Sequence, residues 1–345
     1  MSTNTTIVDC DNLPAIRKDL KFSIYLYIFV YGPITLFGIC LNIATIVAFR
    51  KLRNSVYYAV EMVAMFDLLF SVAAFTIYPL RSIYIHIVLG DLVFRINDWH
   101  FGQEIITVIL PFFNVFQMAR NWSVVVVSLE RLLVVLFPLK IKTAWKKSTM
   151  NAICASYTIM SIATNWKYFF PLRIPGLWKW PCLKPGQFAF TSLLDREYVI
   201  EPPYNYEFPM HLEYQLFIFG TVGLPFLILL TINVCLVISV FVARKKRKLL
   251  TSVKDTSNKK AGQEGQVLKM VIAIVVIYFM CESPGCFDRL FFFLFNDIIP
   301  FYAQMIVRKV ALAFSVLNSS LNFFAYCLTN AKFKMTVKAM IRRNP

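Results

Sequence analysis

Residues Phe22–Phe49 read FSIYLYIFVYGPITLFGICLNIATIVAF and contain no Asp, Glu, Lys or Arg. A helix crossing the hydrocarbon core of a bilayer needs about 20 residues, at about 1.5 Å of rise each, so this stretch is long enough to span. Ser148–Trp166, Tyr214–Ala243 and Val310–Ala331 are equally free of charge. Three further segments, near Val56–Tyr84, Phe101–Val135 and Val267–Phe295, are apolar with a few ionisable residues. A soluble core has no use for so many uninterrupted spans. A hydrophobic share of 58% and a mean hydropathy of +0.61 extend the same reading to the whole chain. The fold class is an all-α membrane protein, a bundle of seven transmembrane helices.

The basic residues gather on alternate sides of these spans. Arg50, Lys51 and Arg53 follow the first; Lys140, Lys142, Lys146 and Lys147 follow the third. Arg244–Lys248 follow the fifth, and Lys332, Lys334, Lys338, Arg342 and Arg343 the seventh. Most acids lie on the other side, among them Asp9, Asp11, Asp91, Asp195, Glu201 and Glu213. Lys and Arg mark the cytoplasmic side, so the expected N-terminus is outside and the protein is a multi-pass resident of the plasma membrane. The net charge of +17 is then accounted for by anionic inner-leaflet lipid, and no nucleic-acid partner is needed.

Three parts are expected: an extracellular tail (1–21), the bundle (22–330) and a cytoplasmic amphipathic helix with its tail (331–345). The extracellular tail is polar, so segment one is expected to act as its own insertion signal. Asn4-Thr5-Thr6 is a glycosylation acceptor triplet on the outer side.

Polar groups inside spans are costly and usually functional. They are Asn42, Asp67, Arg120, Arg131, Asn233, Glu282, Asn318 and Asn322. Arg120 and Arg131 stand eleven positions apart, about three helical turns, and share a face. One reading is a hydrogen-bond lattice that joins helices lacking a hydrophobic drive between them, which suits Asn42, Asn233 and Asn318. For Asp67, Arg131 and Asn322 a signalling role is favoured by the sequence around them.

Those surroundings resemble the rhodopsin-like family of G-protein-coupled receptors over about residues 22–340. Gly38-Ile39-Cys40-Leu41-Asn42 is similar to G-x-x-x-N, and Ala64-Met65-Phe66-Asp67 to the end of L-A-x-x-D. Trp99-His100-Phe101-Gly102 looks like W-x-F-G; Glu130-Arg131-Leu132 stands where D-R-Y would, with Pro138 after it. Cys281-Glu282-Ser283-Pro284 takes the place of C-W-x-P, and Asn322-Phe323-Phe324-Ala325-Tyr326 that of N-P-x-x-Y. Each motif alone is weak, but these six with Pro225 on segment five make seven in order on the correct segments, which is a strong signal. Asn318–Cys327 further resembles the segment-seven signature of FMRFamide-type peptide receptors and related nematode serpentine receptors.

The resemblance implies a receptor for an extracellular ligand, a neuropeptide first and an environmental small molecule as the alternative, acting on a heterotrimeric G protein. It implies that Glu130, Arg131, Pro138, Glu264, Pro284, Asn322 and Tyr326 form the coupling and activation switch. Arg131 would pair at rest with Glu264, unless that carboxylate lies on a solvated loop. Segment six would then swing about the kink at Pro284. Asp67 is expected to pair with Arg120, the guanidinium replacing the sodium ion that such receptors commonly hold. The alternative has Arg120 snorkelling toward the surface.

Departures accompany the matches. The outer disulfide of the family needs a cysteine where Ile106 stands. Cys182 is therefore either bridged to Cys10 or unpaired. Cys40, Cys154, Cys235, Cys281 and Cys327 read as packing residues.

Other classes fare worse. The chain has no G-x-S-G, G-x-G-D or H-E-x-x-H, and His86, His100 and His211 fall outside or at the outer rim, so no enzyme, metal or cofactor is expected. No lysine lies within Val310–Ala331, which excludes a retinal-binding opsin. A channel or transporter is a remote alternative that leaves the motif set unexplained. The ligand pocket is expected at Phe113, Gln117, Glu282, Arg289 and Arg308. Glu282 suits a cationic group; Arg81, Arg289 and Arg308 suit a carboxylate. With Phe113 in the upper part of segment three, a biogenic amine is disfavoured.

Overall fold

A computed structural model describes residues 22–52, 57–84, 96–137, 146–169, 219–250, 258–295 and 301–342. Among these residues there is no strand. Seven long helices follow in order: α1 (Phe22–Leu52), α2 (Tyr58–Tyr84), α3 (Ile96–Leu136), α4 (Lys147–Thr164), α5 (Leu224–Leu250), α6 (Asn258–Phe295) and α7 (Phe301–Thr329). The amphipathic helix α8 (Ala331–Arg342) comes last. Five of the seven are apolar and long enough to cross a membrane among the described residues. The apolar character of α3 is diluted by Asn114, Gln117, Arg120 and Asn121, and α4 opens on Lys147. The helices close into a ring: α1 packs on α2 and α7, α3 on α2, α4, α5 and α6, and α6 on α7.

Proline shapes three of the spans. A proline has no N–H, so the carbonyl four residues before it loses its helical partner. Short π-helical turns stand at Tyr27–Tyr31, Thr76–Leu80 and Phe219–Gly223, beside Pro33, Pro79 and Pro225. The backbone there absorbs the lost bond by widening one turn; Gly32 N–H donates five residues back, to Tyr27 O. In α6, Pro284 lies inside a continuous helix, with Ser283 Oγ donating to the freed Met280 carbonyl at 3.4 Å.

Small polar residues join α1, α2 and α7. Without water to expel, helices in lipid associate through close packing and hydrogen bonds. Asn42 Nδ2 donates to Ser319 O at 2.9 Å, and the Ser71 and Ser319 hydroxyls meet at 2.9 Å. Gly38 permits this approach, because a Cβ there would lie 2.5 Å from Ser320 Oγ. Asn233, in contrast, donates to Leu229 O within its own helix, so it does not serve the interhelical lattice.

At its C-terminal end α7 breaks at Asn330, whose side chain caps α8 by accepting from Phe333 N–H at 3.1 Å. Phe333 is thereby folded back onto Phe49 and Tyr326, with ring centroids 4.8 and 5.6 Å away. Met335 and Ile341 remain exposed on α8, which gives the basic helix an apolar face for the membrane surface.

Candidate functional site

The centre of the bundle holds an ion pair. Arg120, on α3, is 1% exposed, and Glu282, on α6, is 2% exposed. Arg120 Nη2 donates to Glu282 Oε1 and also lies 3.0 Å from Ser315 Oγ on α7. Nη1 donates to the Ser315 carbonyl at 2.9 Å, and Nε and Nη2 reach Asn121 Oδ1 at 3.4 and 3.3 Å. Glu282 Oε1 also accepts from Ser315 Oγ at 3.0 Å and from Asn318 Nδ2 at 3.1 Å. The Phe70 ring of α2 closes the remaining side, its centroid 4.3 Å from the guanidinium carbon. One side chain of α3 therefore touches α2, α6 and α7.

A buried charge pair is stable only with its other hydrogen-bonding positions filled, and here the neighbours fill those of the arginine. Asn121 extends the network to α5, its Nδ2 donating to Thr221 O at 2.8 Å. Thr221 is four residues before Pro225, so its carbonyl is the one that proline frees. Trp122 Nε1 reaches the adjacent Gly220 O at 3.3 Å.

The expected pairing of Asp67 with Arg120 is corrected by this arrangement. Asp67 Oδ2 accepts from Asn322 Nδ2 at 2.8 Å, and Arg120 turns to Glu282. Helical rise puts Asp67 and Arg120 at one depth but says nothing of direction around the α3 axis. The guanidinium points to the α6–α7 seam, and the two charges act on one another only through space. The snorkelling alternative is also overturned, since Arg120 is fully enclosed. Glu282, expected as a ligand-pocket group, is at the same time the partner of that arginine.

The switch residues are placed as follows. Glu130 and Arg131 are buried near the C-terminal end of α3 and pair at 3.0 Å. Asn322 sits with Asp67; Tyr326 is wholly buried against Phe49, and its hydroxyl has no hydrogen-bond partner among the described residues. Pro284 lies two positions beyond Glu282 in α6. Glu264 belongs to α6, with its side chain outside the described residues. Pro138, Asn4, Cys10 and Cys182 lie outside them entirely, as does the Arg289 side chain.

Of the pocket residues, Phe113 is core: it packs on Phe70 and Tyr78 with centroids 4.9 and 5.9 Å apart. Gln117 is buried one turn outward of Arg120. Arg308 is half-exposed and lies 3.9 Å from Asp288. Six cysteines among the described residues are free, and no group of His, Cys, Asp and Glu among those residues could hold a metal.

Sequence reasoning missed Ser315, Asn121, Phe70 and Thr221. Serine and phenylalanine are too common in spans to stand out. The Thr221 carbonyl did have a signal, its position four residues before Pro225.

Residues 29–344, nearly the whole chain, match the model of a family described as the serpentine type 7TM GPCR chemoreceptor Srw. No curated protein matches the chain.

Proposed function

Because the chain belongs to the Srw family of serpentine seven-transmembrane G-protein-coupled chemoreceptors, we propose that it is a plasma-membrane receptor for a small extracellular molecule, with its N-terminus outside. The observation that carries this reading is the Arg120–Glu282 pair with Ser315 and Asn318. It ties α3 to α6 and α7 at the level where an outer ligand and an inner switch can both be felt. Glu282 lies two residues before Pro284, so a ligand that disturbs this tie acts beside the weakest point of α6.

The resting state holds the seam closed. Agonist binding favours a state with the inner half of α6 displaced, through its differential affinity for the two states. The opened cytoplasmic face then receives a helix of the G protein, with Arg131 as the coupling residue and Glu264 as its resting restraint on α6. Glycosylation at Asn4 and a Cys10–Cys182 bridge would belong to the outer surface.

A neuropeptide ligand is the second reading, favoured by the sequence Asn318–Cys327. Nucleotide exchange on co-expressed G proteins distinguishes the two. Cells expressing the chain are exposed in parallel to small water-soluble odorants and to amidated peptides. The chemosensory reading expects exchange with members of the first set alone; responses confined to peptides contradict it. Ion or solute flux without nucleotide exchange would overturn both.

A further inference from the structure

Glu282 uses one of its two carboxylate oxygens. Oε1 accepts from Arg120, Ser315 and Asn318, whereas Oε2 has no hydrogen bond among the described residues. An ionised carboxylate has acceptor sites on both oxygens, so half of this buried group is unused. Gln117 and Asn114 stand on the preceding turns of α3, 6% and 9% exposed. Neither side chain makes a hydrogen bond among the described residues. Buried polar side chains nearly always have partners. Three with unused capacity lie on Glu282 and on the two turns of α3 that precede its partner Arg120.

The charge at this depth selects the ligand. Arg120 and Glu282 supply one charge of each sign, both 2% exposed or less, and the unused Oε2 is an acceptor that only a hydrogen-bond donor can fill. A donor that is itself positively charged makes the stronger bond to a carboxylate oxygen. An anion is repelled by this carboxylate, and every nitrogen of Arg120 already donates within the protein. The carboxylate that α3 lacks at Phe113 is thus supplied from α6.

We propose that Glu282 Oε2 receives the cationic, hydrogen-bond-donating group of the ligand, a primary ammonium or an amidinium, with Gln117 beside it and the apolar remainder of the ligand toward Phe116. Ligand and Arg120 then share one carboxylate, so binding weakens the hold of α3 on α6. This deepens the receptor reading and rests on it.

The test reads binding alone, so it is independent of G-protein coupling. The full chain in lipid nanodiscs is titrated with 2-phenylethylammonium and with its carboxylate counterpart 3-phenylpropanoate, and thermal unfolding is followed. The ammonium raises Tm saturably and the carboxylate does not. Glu282→Gln weakens the apparent affinity about tenfold or more, the size expected for losing a charge-assisted hydrogen bond. Gln117→Leu leaves the ion pair intact and weakens it by about threefold, which keeps the test open if Glu282→Gln fails to fold. No shift with the ammonium, an equal shift with the carboxylate, or a shift untouched by Gln117→Leu overturns the proposal. So does an equal stabilisation by sodium chloride alone, relative to choline chloride at constant ionic strength, because the cation would then be inorganic.

Discussion

Arg120 is the residue on which the interior turns, since its guanidinium touches side chains or backbone of three other helices. Removing one partner of a buried pair leaves an uncompensated charge and costs about 3–5 kcal/mol, whereas removing both costs far less. Arg120→Gln and Glu282→Gln are therefore each expected to lower Tm in detergent, and the double variant to recover a good part of the loss. The Asp67→Asn/Arg120→Gln combination shows no such recovery, because those residues do not touch. Purely additive losses for Arg120 and Glu282 would contradict the pairing. The sequence announced both charges as functional, because ionisable residues in spans are rare. It could not say which carboxylate the arginine chooses. Spacing along a helix fixes depth and face, while partner choice depends on how neighbouring helices are rotated.

At the scale of elements, the spans were legible because an uninterrupted apolar run of about 20 residues suits a bilayer and little else. The π turns were not. A proline signals a lost hydrogen bond but not whether the helix kinks, widens or borrows a donor from a neighbour. At Pro225 it does the last two, the turn at Phe219–Gly223 offering its carbonyls to Asn121 and Trp122. The junction of α7 and α8 carries a simpler prediction. Asn330 Oδ1 is the acceptor for Phe333 N–H, and losing such a cap costs about 1 kcal/mol. Asn330→Ala should hasten hydrogen exchange at the first turn of α8, and Asn330→Asp should keep the protection. Equal exchange in all three proteins would show that the Phe333 packing alone holds the helix.

For the molecule as a whole, two arginines of α3 stand at different levels. Arg120 joins α3 to α6 and α7, and Arg131 stands eleven residues further along the helix beside Glu130. If the Arg120–Glu282 pair is what keeps α6 at rest, loosening it shifts the balance of states without any ligand. A bias of about 1–2 kcal/mol raises a minor active population by about five- to thirtyfold. The direct measurement is ligand-free nucleotide exchange on a panel of G proteins, at matched surface amounts of each receptor variant. Glu282→Gln is expected to raise basal exchange severalfold over the native chain, and adding Arg131→Ala to return it to background. Basal exchange unchanged by Glu282→Gln, or a rise that survives Arg131→Ala, would contradict the account.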